Sequence, residues 1–169
     1  MFYLNKIKVY KSCYYIIMEE DNNKSLGKKR IERYIEKFEH LKKLNNKLNE
    51  WTKSLDEEGF VALDLKEQYG IYHAFQIIAE IITDLIAMSV KDLKIKPKDD
   101  YSNIDCLKEQ NFISEDLSKE LKKVNGLKNI LVHDYNGIDD SLAFKNIKED
   151  INIIKHFQKV VQEWLKKNS

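Results

Sequence analysis

Apolar residues recur at steps of three and four along most of this chain, which is the period of an amphipathic helix. Ser25 is suited to cap the first helix. The apolar positions that follow it are Ile31, Tyr34, Ile35, Phe38, Leu41, Leu44, Leu48, Trp51 and Leu55. A turn is predicted at residues 56–59. Residues 60–93 then form a second helix that is apolar on nearly all sides, which is typical of a helix enclosed by others.

One polar stripe remains on this second helix. Its members are again three and four residues apart: His73, Gln76, Glu80, Thr83 and Asp84. Two interpretations stay open, because the stripe can be the solvent edge of the helix or the wall of an internal polar cleft.

A polar break at residues 94–101 contains the single proline, Pro97, and separates this pattern from three further helices. The residues suited to cap them are Ser102 or Asn103, Ser114, and Asp139 or Asp140, and Asn111 suits a C-terminal turn. Four long helices and a short one, joined by short links, predict an all-α fold, an antiparallel four-helix bundle with one short extra helix. Five glycines in 169 residues agree with long helices.

The formal net charge is +1, so the field of the whole molecule does not by itself argue for nucleic acid. Locally, residues 24–53 carry ten Lys or Arg and four Glu, whereas residues 54–92 carry two Lys and eight acids. This predicts either a basic helix beside an acidic one or two separate solvated faces. A nonspecific RNA-binding bundle that uses the basic first helix is a further hypothesis.

Several classes of site are disfavoured. Cys13 and Cys106 are isolated, which fits reduced thiols in a cytoplasmic protein, and the four histidines form no metal-ligand pattern. No uninterrupted apolar run exceeds six residues, so no membrane span is expected. We expect residues 1–24 to be an N-terminal extension to a single helical domain at residues 25–169, and both Met1 and Met18 stay open as the start.

Reactive side chains are densest at residues 128–135, where Lys128, Asn129, His133 and Tyr135 lie on one helical segment. Asn129 and His133 are four residues apart and share a face, so the amide can orient the imidazole. Lys128 and His133 are about 140° apart on a regular helix. They share a narrow site only if Lys128 wraps round, the helix is distorted or a second protomer supplies one group. The residues alone allow a plain surface helix end or acid–base chemistry at a phosphodiester.

Residues 127–138 read L-K-N-I-L-V-H-D-Y-N-G-I. Together with the order of the helices, they closely resemble the HepT-like family of the HEPN superfamily, whose members carry R-N-x-x-x-H-x-Y. The resemblance extends to I-I-T-D-L at residues 81–85, I-S-E-D-L at 113–117 and I-D-D-S-L at 138–142.

The resemblance implies an all-helical homodimer and a metal-independent ribonuclease without a cofactor, with its sites at the dimer cleft. His133 would transfer a proton as a 2′-hydroxyl attacks the adjacent phosphate. Lys128 would take the place of the arginine at the scissile phosphate, and Asn129 would orient the motif. Asp84, or alternatively Glu80, would be the polar group of the second helix that faces it. The family suggests tRNA or mRNA as the substrate.

The family toxins are paired with an MntA-like nucleotidyltransferase antitoxin that transfers AMP from ATP to the tyrosine of the motif, here Tyr135. The added phosphate would repel RNA. The departure from the family pattern is Lys128, because lysine keeps the positive charge but loses the planar fork of arginine. Two functions are therefore expected from the resemblance: a nuclease of weak to moderate activity, or an inactive helical module that binds the nucleotidyltransferase.

Overall fold

A computed structural model describes residues 26–133 and 137–168, and within these ranges it contains helices and no strand. The six helices are α1 (Lys28–Thr52), α2 (Glu57–Val61), α3 (Leu65–Asp92), α4 (Asp100–Glu109), α5 (Glu115–His133) and α6 (Asp140–Asn168). The predicted all-α class is confirmed. The described part has four long helices and two short ones, whereas one short helix was predicted.

The four long helices form a ring in the order α1, α3, α5, α6, since α1 and α5 each pack against both α3 and α6. Contacts between neighbours give their directions. Arg30 at the start of α1 pairs with Asp92 at the end of α3, and the Leu26 amide just before α1 donates to the Asn168 carbonyl at the end of α6. These neighbours are antiparallel, as the predicted bundle requires.

Helix α3 supplies the largest share of the core. By length and composition it is apolar enough to cross a membrane, but 67% of its most apolar 18-residue window is buried inside the bundle. Its apolar surface is therefore used in packing against other helices, which is how the core helix of a soluble protein behaves. The short α2 closes one end of the bundle, where Phe60 stacks on Phe144 with ring centroids 4.4 Å apart.

The start of the second predicted helix is corrected. Residues 56–59 begin helix α2 instead of forming a simple turn, because the Asp56 carboxylate accepts a hydrogen bond from the Gly59 amide at 2.8 Å. A second cap, Asp64, accepts from the Glu67 amide at 2.8 Å and starts α3. The predicted helix at residues 60–93 is therefore divided between α2, which starts after the Asp56 cap, and α3, which starts after the Asp64 cap.

Four helix N-caps were predicted from the sequence, of which two are wrong and two are confirmed. The N-cap of α1 is Gly27 and not Ser25, which lies outside the described residues. Asp99 caps α4 by accepting from the Ser102 amide at 3.0 Å. Ser114 and Asp139 cap α5 and α6 as predicted. Asn111 has a φ of 54°, the left-handed conformation expected of a C-terminal turn.

The basic helix does lie beside the acidic one. Arg30 pairs with Asp92 at 2.9 Å and also donates to the Met88 carbonyl at 2.8 Å. About two helical turns further on, Lys37 of α1 pairs with Asp84 of α3. Opposite charges across this interface hold α1 against α3. Part of the charge pattern in the sequence therefore serves helix packing.

Candidate active site

A groove of about 350 Å³ opens to solvent between α3 and α5. It is lined by His73, Gln76, Ile77, Glu80, Lys128, Asn129, Val132 and His133. Part of the polar stripe of α3 faces this groove, namely its first three members. The interpretation of the stripe as a cleft wall therefore fits these three residues, and the cleft is an open groove at the surface.

Two cross-helix contacts fix the register of α3 against α5. The Gln76 amide donates to the Leu131 carbonyl at 2.9 Å, and the Lys128 ammonium lies 3.3 Å from Glu80. Moving toward the start of α3 therefore means moving toward the end of α5, as in an antiparallel pair. The Gln76 bond also satisfies a carbonyl in the last turn of α5, where the helix itself provides no donor.

Lys128 is held by two carboxylates from two different helices. Its Nζ lies 3.0 Å from Asp100 Oδ2 in the first turn of α4 and 3.3 Å from Glu80 Oε2 of α3. The lysine side chain is only 11% exposed, whereas those of Asp100 and Glu80 are 38% and 65% exposed. The cation is therefore buried beneath two carboxylates that reach the surface, and the three groups together carry a charge of −1.

The protonation of Lys128 is set by two opposing effects. Burial lowers the pKa of Lys128, but the hydrogen bond and charge of Asp100, together with those of Glu80, outweigh it and raise that pKa above its ordinary value. The side chain consequently remains an ammonium at neutral pH. Two of its three N–H donors point to carboxylates, which leaves one for another acceptor.

Lys128 and His133 line the same groove of one protomer, although their positions are about 140° apart on a regular helix. The groove wall is made of two adjacent rows of α5, Lys128 with Val132 and Asn129 with His133, each pair four residues apart. Both residues therefore border one open groove. The condition stated for a narrow site does not apply to it.

Glu80 and Asp84, the two acidic candidates of α3, contact different helices. Glu80 contacts Lys128, while Asp84, one turn further along α3, pairs with Lys37 of α1. The prediction that Asp84 faces the motif is therefore wrong within one protomer, where Asp84 faces α1 instead. Asn129 lines the groove beside His133. Tyr135 lies outside the described residues.

The sequence did not indicate Asp100 as a site residue. It was assigned to the polar break, but it begins α4 because Asp99 caps that helix. Asp100 is 28 positions from Lys128 and on another helix. The only available signal was its place in the first turn of a helix, where acids are common for reasons unrelated to a site.

Comparison with known proteins identifies the group to which the chain belongs. A protein-family model described as "Ribonuclease HepT-like" matches residues 31–161. The chain belongs to the HepT-like ribonuclease family. This confirms the resemblance found in the sequence.

The similar proteins agree with this assignment. A protein of Archaeoglobus fulgidus that bears the name "Putative RNase" is 36% identical over 138 residues, which is 82% of this chain and 97% of the relative. A tri-AMPylated HEPN toxin of Shewanella oneidensis, solved in complex with an MNT antitoxin, superposes with a TM-score of 0.69. It is 21% identical, and the match covers 77% of this chain and 96% of the toxin. YutE, a cytosolic protein of unknown function from Bacillus subtilis, has a TM-score of 0.65 at 18% identity, over 86% of this chain and 94% of its own. At these identities the two structures establish the shared fold.

Proposed function

We propose that this HepT-like protein is a metal-independent endoribonuclease that cleaves RNA, with tRNA or mRNA as the substrate, in the α3/α5 groove. The observation that carries the proposal is that the cation and the imidazole of the family motif, Lys128 and His133, line one groove. Membership of a ribonuclease family supports the same reaction class. No cofactor or metal enters the proposed chemistry.

The reaction is the attack of a 2′-hydroxyl on the adjacent phosphorus. His133 takes part in proton transfer, for which an imidazole is suited because it ordinarily titrates near neutrality. Lys128 donates its free N–H to the phosphate oxygens as negative charge develops on them. Glu80 and Asp100 hold the ammonium in position, and Asn129 orients the wall on which His133 lies.

We further propose that the active form is a homodimer whose grooves face each other. Val132 lines the groove on the α5 side and is 47% exposed. Apolar residues beside an open site are suited to a protein–protein contact. A second copy across this face would close the groove and add a second set of motif residues.

The partner in this proposal is an MntA-like nucleotidyltransferase antitoxin, and the setting is a cytoplasmic toxin–antitoxin pair. The tyrosine Oη of Tyr135 would attack the α-phosphorus of ATP, forming the O–P bond and releasing pyrophosphate. The attached AMP brings negative charge next to the motif and would repel the RNA backbone. The solved complex of a structurally similar toxin, AMPylated and bound to its antitoxin, supports this proposal.

The first test is RNA cleavage by the full-length protein. Wild type should cleave, His133→Ala should be slower by about 10²–10⁴-fold, and Lys128→Arg should be faster because the guanidinium fork can bind both carboxylates and the phosphate. Since removal of an oxyanion donor costs about 10²–10³ in rate, replacing a retained point charge by arginine should gain less than about 10²-fold. Unchanged cleavage by His133→Ala would refute the proposal.

A second candidate is a catalytically inactive helical module that binds the nucleotidyltransferase. It is favoured by one observation, namely that two of the three donors of Lys128 are engaged by carboxylates. This candidate predicts no cleavage by wild type or by Lys128→Arg, but AMP transfer to Tyr135 with ATP and the partner. Mass spectrometry of the wild type and Tyr135→Phe tests that transfer: a mass increase that persists in the variant would exclude Tyr135 as the acceptor.

A further inference from the structure

We propose that His73 of α3 is a second catalytic proton-transfer group, which acts on RNA from the wall of the groove opposite His133. This inference rests on the proposed ribonuclease function and adds a residue outside the family motif. His73 and His133 line the same groove but come from different helices.

The register of the two helices brings the imidazoles to one level. The Gln76–Leu131 hydrogen bond pairs a residue of α3 with one of α5. Three positions before Gln76 is His73, and two positions after Leu131 is His133, so that both lie beyond this bond in the same direction. At 1.5 Å per residue the displacements are about 4.5 and 3 Å, and the two histidines face each other across the groove at nearly equal height.

Cleavage of a phosphodiester by its own 2′-hydroxyl needs two proton transfers. A base takes the 2′-hydroxyl proton as the O2′–P bond forms, and an acid gives a proton to O5′ as the P–O5′ bond breaks. The products are a 2′,3′-cyclic phosphate and a 5′-hydroxyl, and no oxidant, metal or co-reactant is needed. One imidazole provides one of these transfers, so a second group is required. That group is either another residue of the same groove or His133 of the second copy, and the His73→Ala variant described below distinguishes the two.

The other described residues of the groove are poorly suited to the second transfer. Gln76 is an amide engaged with a carbonyl, and Asn129 is also an amide. Glu80 binds the Lys128 ammonium, whose proton is held by two carboxylates. These carboxylates make Lys128 a weak proton donor but a permanent charge.

His73 is exposed and thus accessible to a substrate in the groove. The charged groups around the groove are Glu80 from α3, Lys128 from α5 and Asp100 from α4. On the α6 side, Asp140 accepts a hydrogen bond from Tyr72, the neighbour of His73 in sequence, at 2.6 Å. His73 and His133 lie on one side of the Gln76–Leu131 bond, and Glu80 and Lys128 lie on the other. The two histidines therefore occupy one end of the groove and the cation the other.

The test is the pH dependence of kcat/KM for RNA cleavage by the full-length protein. Wild type should give a bell-shaped profile. His73→Ala should lose one limb of the bell and His133→Ala the other, with a fall of about 10²–10⁴-fold in each. The matched control is His156→Ala, an exposed histidine of α6, which should leave rate and profile unchanged. A His73→Ala profile that keeps both limbs would overturn the inference, whatever its KM.

A modified substrate assigns the roles. When the 5′-bridging oxygen of the scissile phosphate is replaced by sulfur, the leaving group departs without a proton. That substrate should restore cleavage in the variant that lacks the acid and leave the variant that lacks the base impaired. Equal impairment of both variants on both substrates would contradict the division of roles.

A binding experiment separates this inference from the proposed function. The imidazole Cε1–H signals are followed by NMR while the wild-type protein is titrated with a dinucleotide that has 2′-deoxyribose at the cleavage position. Signals of both His73 and His133 should shift, and that of His156 should not. Absence of RNA cleavage by wild type would refute the proposed function, whereas a shift of His133 without His73, or of neither, would refute the role of His73.

Discussion

Asp150 of α6 is only 5% exposed, and the charged groups that act on it are Glu120 and Lys123 of α5 and its neighbour Glu149. Burial raises the pKa of Asp150 from 3.8 to about 7, Glu120 and Glu149 add to this, and Lys123 opposes it. The folded protein therefore holds this proton more tightly than the unfolded chain does. Stability should fall as pH rises from about 4 to about 7, because ionisation of the buried group is penalised in the folded state alone.

The magnitude follows from the two values. The difference between 3.8 and about 7, at about 1.36 kcal/mol for each pH unit, corresponds to roughly 4 kcal/mol of folding free energy above pH 7. Asn has nearly the same shape as Asp but does not ionise. We therefore expect Asp150→Asn to be more stable than wild type at pH 8, with a difference that is larger by roughly 2–3 kcal/mol than at pH 5.

The assay is urea unfolding followed by circular dichroism at pH 5 and pH 8, with wild type, Asp150→Asn and the control Glu163→Gln. Glu163 is on the same helix but exposed, and it is not among the groups that act on Asp150, so its variant should change little with pH. Comparing each variant with wild type at the same pH cancels the other titrating groups. If the difference for Asp150→Asn is the same at both pH values, Asp150 does not carry the raised pKa.

Two further predictions concern the site. Asp100→Asn should raise RNA affinity and cleavage rate, because it removes one of the two carboxylates that bind Lys128. The control is Asp105→Asn, on the same helix but paired with Lys122, which should change neither, and equal effects of the two variants in a cleavage assay would contradict the prediction. Val132→Glu should convert a dimer to a monomer in light scattering, because it places a charge in the proposed contact. The control is Trp51→Glu, at an exposed residue of α1 on the opposite side of the bundle, which should stay dimeric, and a dimeric Val132→Glu would exclude the proposed contact face.

The helices were predictable because their apolar residues repeat with the helical period, and the core depends mainly on that period. Their starts were less predictable. Asp64 and Asp99 cap helices within stretches that also contain other good candidates, and the choice depends on where the neighbouring helix leaves room. A pattern that gives the face of a helix does not give its first residue.

The site was predictable only where one helix carries it. Lys128 and His133 were found from one stretch of sequence, but Asp100 and Asp84 depend on how helices pack. Helix α3 is apolar on nearly all sides, so its period does not determine which face meets α5 and which meets α1. The rotation of α3 about its own axis determines that Glu80, one turn before Asp84, contacts Lys128.

The position of Lys128 has a consequence for comparing members of this family. Its ammonium joins α3, α4 and α5, and without it Glu80 and Asp100 would face each other with no counterion. A neutral residue at this position should therefore lower the stability of the fold, whether or not the chain cleaves RNA. His133 is exposed at the end of α5 and is free of that constraint. Among related chains, the histidine should disappear first when nuclease function is lost, so its retention is a better mark of an active enzyme than that of the cation.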